Sequence, residues 1–142
     1  MPEQEDRPRV GLGVIVVNRD GKVLIGKRKG GHAPYYSIPG GQLDLGETFE
    51  AGAIREVKEE TGIEAEIEKS LGFDEDFEPD KHGEITHYIF LVYKAKYISG
   101  ELKPDDDIEK LEWISKEKLS QIELNRPAVK LFKGMGYLTS TS

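Results

Sequence analysis

The chain contains no cysteine. That absence removes disulfides, thiolate nucleophiles and cysteine-based zinc sites together, so any metal must be held by oxygen or histidine. Long apolar runs are also missing: Val14 to Val17 with its flanks is the longest, and it is strand-length. Met1 to Arg9 carries proline and charge but no apolar stretch, so neither a secretory signal nor a membrane span is expected, and the expected compartment is the cytoplasm. Positive charge is in short supply, with 20 Lys and Arg against 27 Asp and Glu and a net charge of −7. That is the wrong sign for tracking a long nucleic acid, which requires basic residues to displace counterions. A small anionic substrate stays compatible, provided cations or a few placed basic residues offset the protein's own field.

The 142 residues suit one domain, read as residues 10–142 behind an N-terminal extension at 1–9. Val10 to Asn18 and Lys22 to Arg28 read as a hairpin across Arg19-Asp20-Gly21. Tyr35 to Ile38 is a short apolar strand ending at Pro39-Gly40-Gly41, and a loop then leads to a helix over Thr48 to Thr61 with Gly62 as its left-handed cap. Strands are expected over Glu64 to Phe73, Glu84 to Tyr97 and Glu109 to Ile114, with acidic loops at Asp74 to Gly83 and Gly100 to Asp107. Two helices follow, around Lys116 to Leu119 and Pro127 to Lys133. Strands on both sides of a central helix, with more helix at the end, suggest a mixed sheet between helices, an α/β fold.

On the central helix, Ala53, Ile54 and Val57 form an apolar face, while Glu56, Glu59 and Glu60 fall within about 100° of one another at 3.6 residues per turn. Like charges at this spacing repel, and the C-terminal turns of a helix disfavour carboxylates; each effect costs a few tenths of a kcal/mol. Stability alone would not select this arrangement. A divalent cation would reverse both penalties, and carboxylate oxygens are the donors Mg²⁺ prefers.

The stretch Gly41, five residues, Glu47, seven residues, then Arg55-Glu56-Val57-Lys58-Glu59-Glu60-Thr61-Gly62-Ile63 resembles the Nudix box at every fixed position. Seven such residues coincide by chance about once in ten million starting points, so the motif is specific. Tyr36 to Gly41, Lys27-Arg28 and the segment around Trp113 are similar to the family's flanking strands, carrying the resemblance from Val10 to Leu131. The flavour is that of the MutT-like nucleoside triphosphate diphosphatases.

The resemblance implies a Nudix-type α/β/α sandwich with a mixed central sheet, and Mg²⁺-dependent attack of water on phosphorus, with Mn²⁺ as a substitute. Gly41, Glu56, Glu59 and Glu60 are the implied metal residues, with Arg55 and Glu47 holding the carboxylates in place. The general base is left between Glu59 and a loop carboxylate, which the family's spacing from Trp113 places at Asp107. Arg28 is implied on the substrate phosphate and Asn125 at the base edge, although Asn125 before Pro127 is equally a helix-cap signal. Trp113 reads as core, and the three histidines lack metal-ligand spacing. Many relatives are homodimers, so self-association is among the expectations.

The leading expectation is cleavage of a nucleoside triphosphate to monophosphate and pyrophosphate. The alternatives are hydrolysis of ADP-ribose, a nucleotide sugar or a dinucleoside polyphosphate, and a non-catalytic Nudix-fold binding module. The full set of box carboxylates speaks against the last, and the signature of the NADH-cleaving branch is not found.

Overall fold

A computed structural model describes residues 7–29, 36–79, 85–124 and 126–138. The elements run β1 (Arg9–Val17), β2 (Val23–Arg28), β3 (Tyr36–Ser37), β4 (Gly40–Gln42), α1 (Phe49–Thr61), β5 (Glu64–Pro79), β6 (Ile85–Ser99), β7 (Ile108–Ile114), a 3₁₀ helix (Lys116–Gln121) and α2 (Arg126–Gly134). The β1–β2 turn closes as its residues dictate: the Asn18 side chain accepts from the amides of Asp20 and Lys22 at 3.0 and 2.9 Å, and Gly21 takes φ +78°.

β1 lies at the centre. One edge pairs in parallel with β6 from Arg9↔Tyr88 to Val17↔Lys96; the other is shared between β4, along Gly11 to Gly13, and β2, at Val17↔Val23. β2 pairs with β7 on one side and β3 on the other, and β5 lies outermost against β6. The sheet is therefore mixed.

Alternation along β1 divides the interior into two cores. Val14 and Val16 pack with Ala53 and Val57 of α1 and with Ile63, Tyr93 and Ala95, whereas Ile15 packs with Val23, Ile25, Leu119, Ala128 and Phe132. Val14, Ile15 and Val16 are all fully buried, which is why β1 reads as an unbroken apolar run. With α1 on one face and the 3₁₀ helix and α2 on the other, the α/β/α sandwich is as expected. No helix among the described residues is long and apolar enough to cross a membrane.

Three local readings differ. The expected loop from Asp74 is strand as far as Pro79, in register with Ile85 to Phe90. Local partners offset its acidity: Lys130 Nζ holds Asp74 at 2.6 Å, His87 Nε2 meets Glu75 at 2.9 Å, and the Phe77 ring stacks on His87 at 4.3 Å. The chain at Pro39-Gly40-Gly41, expected as the end of the preceding strand, instead opens a separate short strand from Gly40 to Gln42, because β1 offers it a free edge. The segment around Lys116 winds as a 3₁₀ helix, buried through Leu119.

Candidate active site

Helix α1 is fixed at both ends by short-range bonds. Thr48 Oγ1 accepts from the Ala51 amide at 3.2 Å, and Gly62, at φ +80°, returns its amide to the Lys58 carbonyl at 2.9 Å. Within this frame Arg55 is the hub. Its Nε and Nη2 donate to both oxygens of Glu47 at 2.9 and 2.6 Å, and Nη1 donates to Glu56 at 2.9 Å and to Glu59 at 3.1 Å. Nη2 also reaches the Gln42 carbonyl at 3.0 Å, and Asp44 stands 3.4 Å from Nε. One guanidinium thus ties the loop before the helix to two carboxylates on it.

Glu47 is further held by the Asp44 amide at 2.8 Å, and the Arg55 hydrogen bonds, followed by that backbone bond, bring its carboxyl down to about 2. Its pocket depends on Gly52: a Cβ there would lie 2.8 Å from both Glu47 Oε1 and Leu12 Cδ1. Gly52 was not singled out in the sequence, although a helix-interior glycine costs about 1 kcal/mol and so marks a packing need.

Glu56 and Glu60 behave in the opposite way. Burial pushes both carboxyls up, opposed at Glu56 by Arg55, and Glu60 reaches about 7. The Gly40 amide donates to Glu60 Oε1 at 2.7 Å and works against that rise, while Glu56 and Asp105 add to it and Arg28 reduces it. Gly41 leaves room for Glu56, since a Cβ there would collide with the Glu56 carboxylate. Ladder bonds from Leu43 to Val10 and from Val14 to Pro39 turn the backbone of Gly41 toward Leu12, so it is Gly40 whose amide and carbonyl face the open edge beside Glu60.

A narrow cleft, with room for little more than one water molecule, opens there, lined by Arg28, Ser37, Ile38 and Pro39 on one side and by Glu60, Thr61, Ile108 and Leu111 on the other. Arg28 therefore faces the carboxylate helix. Asp107 is exposed, and its carbonyl accepts from the Lys29 amide at 2.9 Å. Asp105 lies nearer the helix: its amide donates to the Glu60 carbonyl at 3.2 Å. Nothing in the acidic run distinguishes Asp105 by spacing. Asn125 lies outside the described residues, as do His32 and His82. Trp113 packs against the α1-side core, edge-on to Tyr97.

Among the described residues no three acidic or histidine side chains stand grouped as a ready-made metal cage. Glu56 and Glu59 are turned to Arg55, and Glu60 to the Gly40 amide. The donor set nonetheless fits a hard cation: all-oxygen ligands, two of them desolvated and mutually repelling, beside a strand whose glycine leaves space for one of them.

A sandwich with an arginine-pinned carboxylate helix facing a glycine strand defines the Nudix class of fold. The NUDIX domain profile matches residues 7–134, and the chain belongs to the Nudix hydrolase family. It is 32% identical over 117 residues to an ADP-ribose pyrophosphatase of Methanocaldococcus jannaschii, covering 80% of this chain and 66% of that protein. Over 114 residues it is 31% identical to the NAD-capped RNA hydrolase NudC of Pseudomonas aeruginosa, covering 80% of this chain but 38% of the relative. The chain thus spans less than two thirds of these curated relatives. The crystal structure of a MutT NUDIX hydrolase from Burkholderia pseudomallei superimposes with a TM-score of 0.71 at 32% identity, over 89% of this chain and 97% of that one.

Proposed function

We propose that the chain hydrolyses a phosphoanhydride bond of a nucleoside triphosphate, giving the monophosphate and pyrophosphate by Mg²⁺-dependent attack of water on phosphorus. The observation that carries this reading is the Arg55 hub, which gathers Glu47, Glu56 and Glu59 beside a cleft shared by Glu60 and Arg28.

Glu56, Glu59 and Glu60, with a backbone oxygen of the Gly40–Gly41 strand, would hold the cation. When bound, Mg²⁺ or Mn²⁺ supplies neutralising charge to the diphosphate oxygens and makes a water more acidic. Arg55 and Glu47 restrict the carboxylate rotamers. Arg28 offers a fork to a phosphate entering the cleft and offsets the acidity of the site. Glu59, with a side chain 57% exposed and a single arginine contact among its described hydrogen bonds, is the least enclosed of the three carboxylates and would serve as the proton acceptor where Glu56 and Glu60 alone hold the cation. The competing base is a carboxylate of the loop before β7, Asp107 or Asp105.

The test is a hydrolysis screen of dNTPs, oxidised dGTP, ADP-ribose and dinucleoside polyphosphates with Mg²⁺ or Mn²⁺ at alkaline pH. Pyrophosphate release from a triphosphate, abolished by chelation and by Glu60→Gln, is the expected result. Cleavage of ADP-ribose alone would move the substrate to the class named for the archaeal relative. If every compound survives, the catalytic reading is wrong.

A further inference from the structure

β7 breaks the alternation of an ordinary strand. Its partners on β2 run in step from Val23↔Ile114 to Lys27↔Lys110, but the next pair is Arg28↔Ile108, so Glu109 is an extra residue without a partner. Continued without that bulge, the register would set Glu109 directly opposite Arg28. The side chains follow the bulge. Leu111 and Ile108, three residues apart, would face opposite ways on a regular strand, yet a Cβ on Gly26 would lie 3.3 Å from the first and 3.5 Å from the second. Glu109 and Lys110 between them are exposed, and Lys27 Nζ meets Glu109 at 3.1 Å.

The exchange matters at the cleft. Ile108, only 8% exposed, and Leu111 line it together with Arg28 and Glu60. Regular alternation would place a carboxylate where Ile108 now stands, and opposite charges directly across two strands attract. Arg28 would then be neutralised by its own sheet. Instead, among the described residues Arg28 makes no side-chain hydrogen bond and no ion pair, and its charge is felt at Glu60 across the cleft. Two contacts hold the bulged register: burial of Ile108 in the cleft wall, and the Lys27 ammonium, which gives the displaced Glu109 a partner on the other face of the sheet. The ladder resumes in the shifted step, with the Lys29 amide on the Asp107 carbonyl at 2.9 Å. An exposed ion pair is worth less than a buried isoleucine, so Ile108 is the stronger anchor.

We infer that the bulge at Glu109 is a specificity device: by withholding a carboxylate from Arg28 it leaves the guanidinium to a phosphate of the substrate, with Ile108 and Lys27 as the positioning residues. This rests on the hydrolase reading for the phosphate at Arg28. A guanidinium already paired with a carboxylate must break that pair to accept another anion, so loss of the bulge weakens binding of the phosphate chain rather than the chemical step. The device sets affinity for anionic groups and does not choose among bases.

The experiment compares the full chain with Glu109→Gln, Ile108→Thr and the double variant Ile108→Thr/Glu109→Gln on the best nucleotide of the screen. Ile108→Thr removes the buried anchor, so Glu109 moves opposite Arg28, and KM is expected about tenfold higher with kcat within about twofold. Glu109→Gln alone and the double variant should stay within about twofold of the wild-type KM, because no carboxylate remains to compete. Lys27→Met, with and without Glu109→Gln, serves where Ile108→Thr fails to fold, and should show the same pattern at about two- to threefold. A merely structural ion pair would make Lys27→Met and Glu109→Gln equally harmful and allow no rescue. NMR reads the register without turnover: the cross-strand contact of Arg28 with residue 108 should give way to one with Glu109 in Ile108→Thr. If nothing in the screen is cleaved, the hydrolase reading fails and titration of inorganic pyrophosphate with Mg²⁺ decides. Weaker pyrophosphate binding in Ile108→Thr, restored in the double variant, would then support the device. An Arg28 contact that stays at residue 108, or a KM or pyrophosphate affinity that Ile108→Thr leaves unchanged or that Glu109→Gln does not restore, overturns it.

Discussion

Burial lifts the Glu60 carboxyl to about 7 while Arg55 and the Asp44 amide hold Glu47 at about 2, so two residues of one motif depend on pH in opposite senses. Because the folded pKa of Glu60 lies above its ordinary 4.5, its contribution to the stability of the metal-free fold is complete below pH 4.5 and lost as pH rises through 7. That difference amounts to at most about 3 kcal/mol. Glu47 contributes above pH 4.5 and loses its contribution as pH falls toward 2. Metal-free Glu60→Gln should therefore melt several degrees above wild type at pH 8 and level with it at pH 4.5, while losing turnover. Mg²⁺ should raise the melting temperature of the wild type only. A lower melting temperature for the variant at pH 8 would contradict the burial account. For the wild type, apparent Mg²⁺ affinity should weaken by about tenfold per pH unit below 7, as the ion competes with one proton. Arg55→Lys keeps the charge but loses the fork, and Mn²⁺ titration should show affinity or kcat reduced by about 10- to 100-fold. The reach of Arg55 to Glu59 and Glu47 was legible from spacing. The roles of the Gly40 amide, Gly52 and Asp105 were not, because they arise from backbone contacts between segments far apart in the chain.

At the scale of single elements, α1 followed from its own residues: the Thr48 cap, the Gly62 cap and the apolar face are local signals, and all three are present. Gly52→Ala inverts the usual rule. An exposed helix would gain about 1 kcal/mol from this change, but here the added Cβ meets Glu47 and Leu12. A lower melting temperature together with reduced activity is expected, and a stabilised, fully active variant would show that the close approach relaxes freely. The β5–β6 hairpin was underestimated because acidic residues from Asp74 onward mimic a solvated loop in composition, while the cross-strand partners that settle the matter lie a dozen residues away. Its backbone makes a distinct prediction: amide hydrogen exchange from Asp74 to Glu78 should be slow at every second residue, since β5 is an edge strand bonded on one side only. Uniformly fast exchange would return the segment to loop.

For the whole molecule, the central sheet separates two cores, and strand spacing cannot reveal which long-range pairing achieves this. A mixed sheet between helices was inferable from element order, but the parallel match of β1 with β6 was not, since it joins segments about eighty residues apart. Val57 and Phe132 occupy opposite cores and are buried to 1% and 0% exposure. With sheet-to-helix layers about 10 Å thick on each side, Val57→Ala and Phe132→Leu should each destabilise by about 1 to 3 kcal/mol and add to within about 0.5 kcal/mol in denaturant melts. Marked non-additivity would mean the sheet transmits strain between its faces.

The loop from residue 101 to 107 ties these scales together. Its amides at Lys103 and Asp105 bond the last carbonyls of α1, and its carbonyl at Asp107 holds the amide of Lys29, next to Arg28. The carboxylate end and the Arg28 end of the cleft are thereby clamped to one short strap. If the carboxylates of α1 hold a cation as proposed, a shift of the helix terminus would be carried to the Lys103 and Asp105 amides through those bonds. The amide nitrogen resonances of Lys103 and Asp105 are then expected to shift on addition of Mg²⁺ without a substrate, and resonances that stay unmoved would contradict this coupling.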